Sequence, residues 1–136
     1  MDDLKASSEI ASKGMKAQAT RLRVISENLA NADSTSELPG REPYRRKIVT
    51  FRNQLDRELG ADTVKVKKIS TDQSKLHSKY DPTHPAADEK GYILMPNVNP
   101  LVEMMDMREA QRSYEANMDV ISTSRQMVAK TLDLLK

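Results

Sequence analysis

The chain has 136 residues, 38% of them hydrophobic, with only four tyrosines and one phenylalanine as aromatics; one modest domain with a thin core, or a core shared with other chains, is the expectation. Its 22 basic and 20 acidic residues nearly cancel, leaving no general field to recruit nucleic acid or anionic lipid. The absence of cysteine excludes a disulfide framework, a thiolate nucleophile and a zinc knuckle, and no apolar run reaches the roughly 18 residues of a membrane-crossing helix.

The first thirty residues carry Asp2, Asp3, Lys5 and Glu9 with no apolar run, so they are not expected to serve as the apolar core of a secretory signal. All six prolines, Pro39, Pro43, Pro82, Pro85, Pro96 and Pro100, fall between residues 39 and 100, which leaves both ends free to be helical. Residues 1–36 form the first expected segment. There Leu4, Ser8, Ala11, Met15, Gln18, Leu22, Ile25, Leu29 and Ala32 recur in alternating steps of three and four, a mostly apolar helical stripe. Gly14 is its one helix breaker, costing about 1 kcal/mol relative to alanine, and marks a place for a bend. Asn31 or Asp33 is placed to close the helix.

Residues 37–99 read differently. Tyr44 to Phe51 is β-branched and basic, and Thr63 to Ile69 alternates Val64 and Val66 with Lys65 and Lys67; both predict short strands. Tyr92 to Met95 is a third, Thr50 to Leu59 suggests a brief helix, and Asp72 to Lys90 reads as loop. This segment is expected to be a small, irregular β module.

In residues 100–136, Asn99 caps a helix beginning at Pro100, with no later Gly or Pro to stop it. Its stripe reads Met104, Met107, Gln111, Tyr114, Met118, Ile121, Arg125, Val128, Leu132 and Leu135. The predicted fold is therefore mainly α with a small β insertion, its long terminal helices paired as an elongated coiled-coil hairpin. Leu4, Ala11, Met15, Leu22, Ile25, Leu29, Met104, Met107, Tyr114, Met118, Ile121, Val128, Leu132 and Leu135 are the expected helix-seam and subunit-interface residues. Five of the eight methionines, Met104, Met105, Met107, Met118 and Met127, lie in this last segment, where methionine fills a core or an interface that adapts to several neighbours.

Little supports catalysis. Only His77 and His84 serve as bases near neutral pH, and neither lies in a nucleophile motif. Asp81, His84 and Asp88 offer donors for a divalent metal, but on no known ligand spacing; the preferred reading is a proline-stiffened loop with turn-forming Asp and an exposed His. Arg45-Arg46-Lys47 and Lys65-Val66-Lys67-Lys68, with Tyr44 and Tyr80, suggest nucleic-acid binding. Residues 37–99, however, hold 12 basic and 9 acidic residues, too small an excess for a phosphate-binding face. No cofactor, metal or catalytic residue is expected.

The stretch Ile25-Ser26-Glu27-Asn28-Leu29-Ala30-Asn31-Ala32-Asp33-Ser34-Thr35 resembles the Asn-Leu-Ala-Asn signature of bacterial flagellar rod and hook proteins. Generic members continue with a Gly-Tyr pair, whereas Pro39-Gly40-Arg41-Glu42-Pro43-Tyr44-Arg45-Arg46-Lys47 follows here, similar to a proximal-rod member of the family. Asp81 to Tyr92, including Gly91-Tyr92, then Pro96-Asn97-Val98-Asn99-Pro100 and Tyr114-Glu115-Ala116-Asn117 agree in order and spacing, so the resemblance covers nearly the whole chain. It implies a non-enzymatic subunit of the flagellar basal-body rod, packed with copies of itself and related rod proteins in a helical assembly across the periplasm. It also implies export through the flagellar type III apparatus without a cleaved signal peptide, and no binding to nucleic acid or insertion into membrane. The reading outside that family is a soluble helical adaptor that binds a partner helix without polymerising.

Overall fold

The computed structural model describes residues 1–136 as α1 (Asp2–Ala30), β1 (Lys47–Asp56), β2 (Ala61–Thr71), β3 (His77–Tyr80), β4 (Tyr92–Met95) and α2 (Pro100–Leu134). Two terminal helices thus enclose, in sequence, a small β module of two two-stranded sheets, β1-β2 and β3-β4. No helix is long and apolar enough to cross a membrane. The residues group into two compact units: Met1–Leu22, Val49–Lys68 and Arg108–Lys136 form the first, Arg23–Ile48 and Ile69–Met107 the second.

In the first unit the helices approach closely at Gly14, and several small residues are buried. Ala11, Ala17 and Ala110 are buried, and a Cβ at Gly14 would lie 3.0 Å from Asn117 Nδ2. Arg21 lies 3.6 Å from Glu109. Ascending α1 from Gly14 to Arg21 descends α2 from Asn117 to Glu109, so the helices run antiparallel here. Gly14 is therefore no point of bending: α1 passes through it without a break, and its missing side chain makes room for Asn117, whose Nδ2 donates to the Ser113 carbonyl at 3.0 Å.

The segment Thr50 to Leu59, expected to be a short helix, is instead the end of β1 and a turn. Asp56 Oδ1 accepts the backbone N–H groups of Glu58 at 3.0 Å and Leu59 at 3.3 Å, and Gly60 takes the left-handed conformation at φ 61°. That local arrangement competes directly with a helix. A link so short cannot make a parallel crossover, so β1 and β2 are antiparallel. Thr63 on β2 is buried, and its hydroxyl donates to the Gln54 carbonyl of β1 at 2.9 Å. Lys13 on α1 pairs with Asp56; that hydrogen bond, then the Leu59 N–H, holds the Asp56 carboxyl below its ordinary range.

The second unit buries Val24, Ile25, Ile93 and Val98. Its antiparallel β3-β4 pair sets His77 opposite Met95 and Tyr80 opposite Tyr92, with the two tyrosine rings edge to face at 5.3 Å. The stretch Asp72 to Lys90, expected to be loop throughout, thus contains a strand. All four β3 side chains are exposed, so no apolar alternation announced it. Gly91, at φ 84°, lets the chain return: a Cβ there would stand 2.9 Å from the Tyr80 ring. Asn99 caps α2 as expected, its Oδ1 accepting the N–H of Leu101 at 3.1 Å.

If close approach explains Gly14, Gly14→Val should destabilise the chain by about 1–3 kcal/mol through overpacking. In an Asn117→Ala background Gly14→Ala should instead stabilise by up to about 1 kcal/mol of helix propensity. Urea unfolding reads both, and an unchanged midpoint for Gly14→Val would contradict the packing.

Candidate functional site

The inward stripe of α2 is polar and small rather than apolar. Glu103, Ala110 and Ser124 are buried and Asn117 is half-buried, each seven residues from the next. On the outer side Leu101, Val102, Met104, Met105, Met118, Val120, Met127, Leu132 and Leu134 are exposed. Among the residues read as seam, Ala11 and Ile25 are buried, while Leu4, Met15, Leu22, Leu29, Met107, Tyr114, Ile121 and Val128 are half-buried. Met104, Met118, Leu132 and Leu135 stand in solvent.

Within the second unit, Asn28 is 1% exposed and is the hub of a polar network. Its Nδ2 donates to the Lys47 carbonyl at 2.9 Å and to Glu103 Oε2 at 3.2 Å. Its Oδ1 accepts the Tyr44 hydroxyl at 2.8 Å and the Lys47 N–H at 2.9 Å. Both amide hydrogens and both lone-pair positions are used, the full capacity of an asparagine. One side chain thereby joins the end of α1, the entry to β1 and the first turn of α2. Burial pushes the Tyr44 phenol upward.

Glu103 is also 1% exposed, and a buried carboxylate needs compensation. Arg46 supplies it through an ion pair to Oε1, and the positive end of α2 adds to it. Arg46 also faces Asp72 at 3.6 Å and Asp106 at 3.7 Å. Its backbone N–H donates to Asn97 Oδ1 at 2.8 Å, and Asn97 Nδ2 donates to the Asp72 carbonyl and Ser74 Oγ, each at 3.0 Å. The basic triplet is consumed by such pairing: Arg45 binds Glu42 through two nitrogens at 3.0 and 2.8 Å, and Lys47 reaches Glu27 at 2.9 Å. This is a set of internal struts, not a free phosphate-binding face.

Asn31 Nδ2 donates to the Glu27 carbonyl at 2.8 Å, and Ser34 Oγ donates to Asn31 Oδ1 at 3.0 Å. Asn31 rather than Asp33 thus finishes α1. Leu29 is half-buried and Ala30 exposed. Gly91 makes the turn described above with Tyr92 behind it, and Asp88 Oδ1 accepts the Tyr92 N–H at 2.9 Å. Of Tyr114-Glu115-Ala116-Asn117, Tyr114 and Asn117 are half-buried, whereas Glu115 and Ala116 face outward. The expected exposed histidine is instead engaged: His84 Nδ1 accepts the Ala86 N–H at 3.0 Å and Nε2 bonds Thr35 Oγ1 at 3.0 Å. No group of three or more His, Asp or Glu residues is arranged to hold a metal ion.

Glu103, Arg46, Asn97 and Asp72 were not singled out as a group by sequence pattern. Their one signal is an acidic residue in the first turn of α2 together with a basic triplet far earlier in the chain. Asn28→Ala should cost at least about 2 kcal/mol, because several buried groups lose a partner. Asn28→Asp should be worse at neutral pH, where two carboxylates would meet, and partly relieved on acidification; loss independent of pH would contradict the Asn28–Glu103 contact. The Asp72 carboxyl is held below its ordinary range by the Ser74 N–H, then the Ser74 hydroxyl. Its contribution is therefore present above its unfolded pKa of about 3.9 and lost as pH falls below that value, which acid unfolding of Asp72→Asn against the parent chain would reveal.

Family models agree with the motifs at both ends. One described as "Flagella basal body rod protein" matches residues 9–36, and one described as "Flagellar basal body rod FlgEFG protein C-terminal" matches residues 89–134. The flagellar basal-body rod protein FlgC of Agrobacterium fabrum is 56% identical over 136 residues, covering 100% of this chain and 98% of that protein. FlgC of Escherichia coli O6:H1 is 44% identical over 128 residues, with 93% of each chain covered. FlgC of Bacillus subtilis is 37% identical over 142 residues, covering 93% of this chain and 95% of its own. With identity of this level sustained over nearly the full length, and Asn28 of the motif at the hub of the second unit's polar network, the chain belongs to the FlgC family of flagellar basal-body rod proteins.

Proposed function

We infer that this chain is a structural, non-enzymatic subunit of the proximal rod, and that its terminal segments, 1–36 and 100–136, pair as a coiled-coil hairpin. Residues 37–99 form the module outside that pair. The subunit polymerises with copies of itself and with related rod proteins into the drive shaft that crosses the periplasm. It reaches that site through the flagellar type III export apparatus, without a cleaved signal peptide, and needs neither nucleic acid nor membrane insertion.

The two-faced character of α2 carries this reading. Only seven apolar residues of the chain are buried, three of them alanine, while eighteen large apolar side chains are exposed. Nine of these lie along α2. Apolar side chains left in water around the helix, outside its buried stripe, favour a partner surface, and each contributes about 1.5–3 kcal/mol when fully covered. Small per-subunit gains, repeated over many copies, give a stiff shaft.

Leu132 is 46% exposed, so Leu132→Asp should leave the unfolding midpoint of the purified chain within about 0.5 kcal/mol of the parent. The same substitution should remove the chain from purified basal bodies and abolish swimming. Ile121→Asp should do the same with a greater loss of stability, since Ile121 is half-buried. Normal incorporation into basal bodies and normal motility in both variants would overturn the reading.

A further inference from the structure

We propose that a basic recess in the first unit is a socket for a second copy of this chain, filled by Met118 with Glu115 and Asp119 beside it. This rests on the rod reading and adds which two surfaces meet. The recess has a volume of about 320 Å³, with Ala17, Val64 and Val66 as its apolar lining and Lys13, Lys16 and Lys65 as its cations. That is the small end of the range for binding pockets, about 300–1,000 Å³; it admits a side-chain cluster and excludes a whole helix. Lys13 is already paired with Asp56, but Lys16 and Lys65 are exposed and neither has an ion-pair partner. Two uncompensated ammonium groups therefore flank a hollow whose lining mixes these apolar side chains with Thr20, Gln54 and Thr63.

The matching shape lies on α2 of the same unit. Glu115, Met118 and Asp119 stand at positions i, i+3 and i+4, which places them in one patch of the helix surface. All three are exposed, Met118 at 47%, and neither carboxylate has an ion-pair partner. A methionine adapts its flexible thioether to an irregular apolar lining, while two carboxylates one turn apart answer two lysines. Charge complementarity of this kind orients an encounter and fixes its register. The socket is built from α1 and the β1-β2 pair, whereas the knob belongs to α2. A contact between two different patches repeats head to tail, and it builds an open helical array when the rotation does not close.

Charge exchange tests this. Lys16→Glu with Lys65→Glu should reduce recovery of the chain in purified basal bodies about tenfold, and Glu115→Lys with Asp119→Lys should do likewise. All four substitutions together should restore most of it, with the circular-dichroism spectrum of each purified variant unchanged. Full recovery with either pair alone, or no rescue by the four together, overturns the docking. Because the chain has no cysteine, Lys65→Cys with Asp119→Cys provides a second readout. Oxidation in basal bodies should give a species of twice the 15.3 kDa chain mass, and a cross-link to a protein of another mass overturns self-docking. Absence of the unsubstituted chain from basal bodies is instead the failure of the rod reading itself.

Discussion

Asn28 sits with almost no solvent access and has every hydrogen-bonding position of its amide filled by groups from three separate chain segments. A polar group buried so completely is tolerated only when it is satisfied, and once satisfied it discriminates sharply among arrangements. Sliding α2 by one turn, or turning the entry to β1, would strand an amide, a carboxylate or a backbone N–H without a partner. The rest of the second unit depends on this constraint. Arg46 must be present to compensate Glu103, Asn97 must hold the Arg46 backbone, and Asn31 must end α1 where the chain turns away.

Polar and small residues on the inward side of the helices change what the apolar residues do. A hairpin zipped by leucine along its inner stripe would spend its apolar surface within one chain. Here Gly14 allows close approach of Asn117, the buried Ala110 and Ser124 gain little from burial, and Asn28 with Glu103 supplies register. Met104, Met118, Met127 and Leu132 are left outside. The residues buried within the chain and those left exposed thus occupy different positions around one helix. A rod subunit needs this separation, since it must hold its own fold and still offer surface to its neighbours in the rod.

The terminal helices were legible because proline is confined to the middle of the chain and because Asn99 and Pro100 mark a helix start. The inner stripe of α2 was not, since a search for apolar periodicity follows Met104, Met118 and Leu132 around the helix, whereas the buried positions are Glu103, Ala110 and Ser124. Helix propensity marks Gly14 as a weak point, because it does not reveal that Asn117 stands opposite. β3 carries no pattern to read, having no buried side chain, and Thr50 to Leu59 departs from the expected helix because Asp56 and Gly60 make a turn there. The asparagine motif was recognisable as a string, but its role depends on contacts with Lys47 and Glu103, far along the chain.

A density map of the assembled rod that resolves side chains tests the central claim most directly. The account predicts Asn28 and Glu103 of the same copy in hydrogen-bond contact, with Met118, Met127 and Leu132 covered by neighbouring subunits. A map in which Asn28 reaches the Glu103 of a different copy, or in which those three apolar side chains face open solvent, would contradict it.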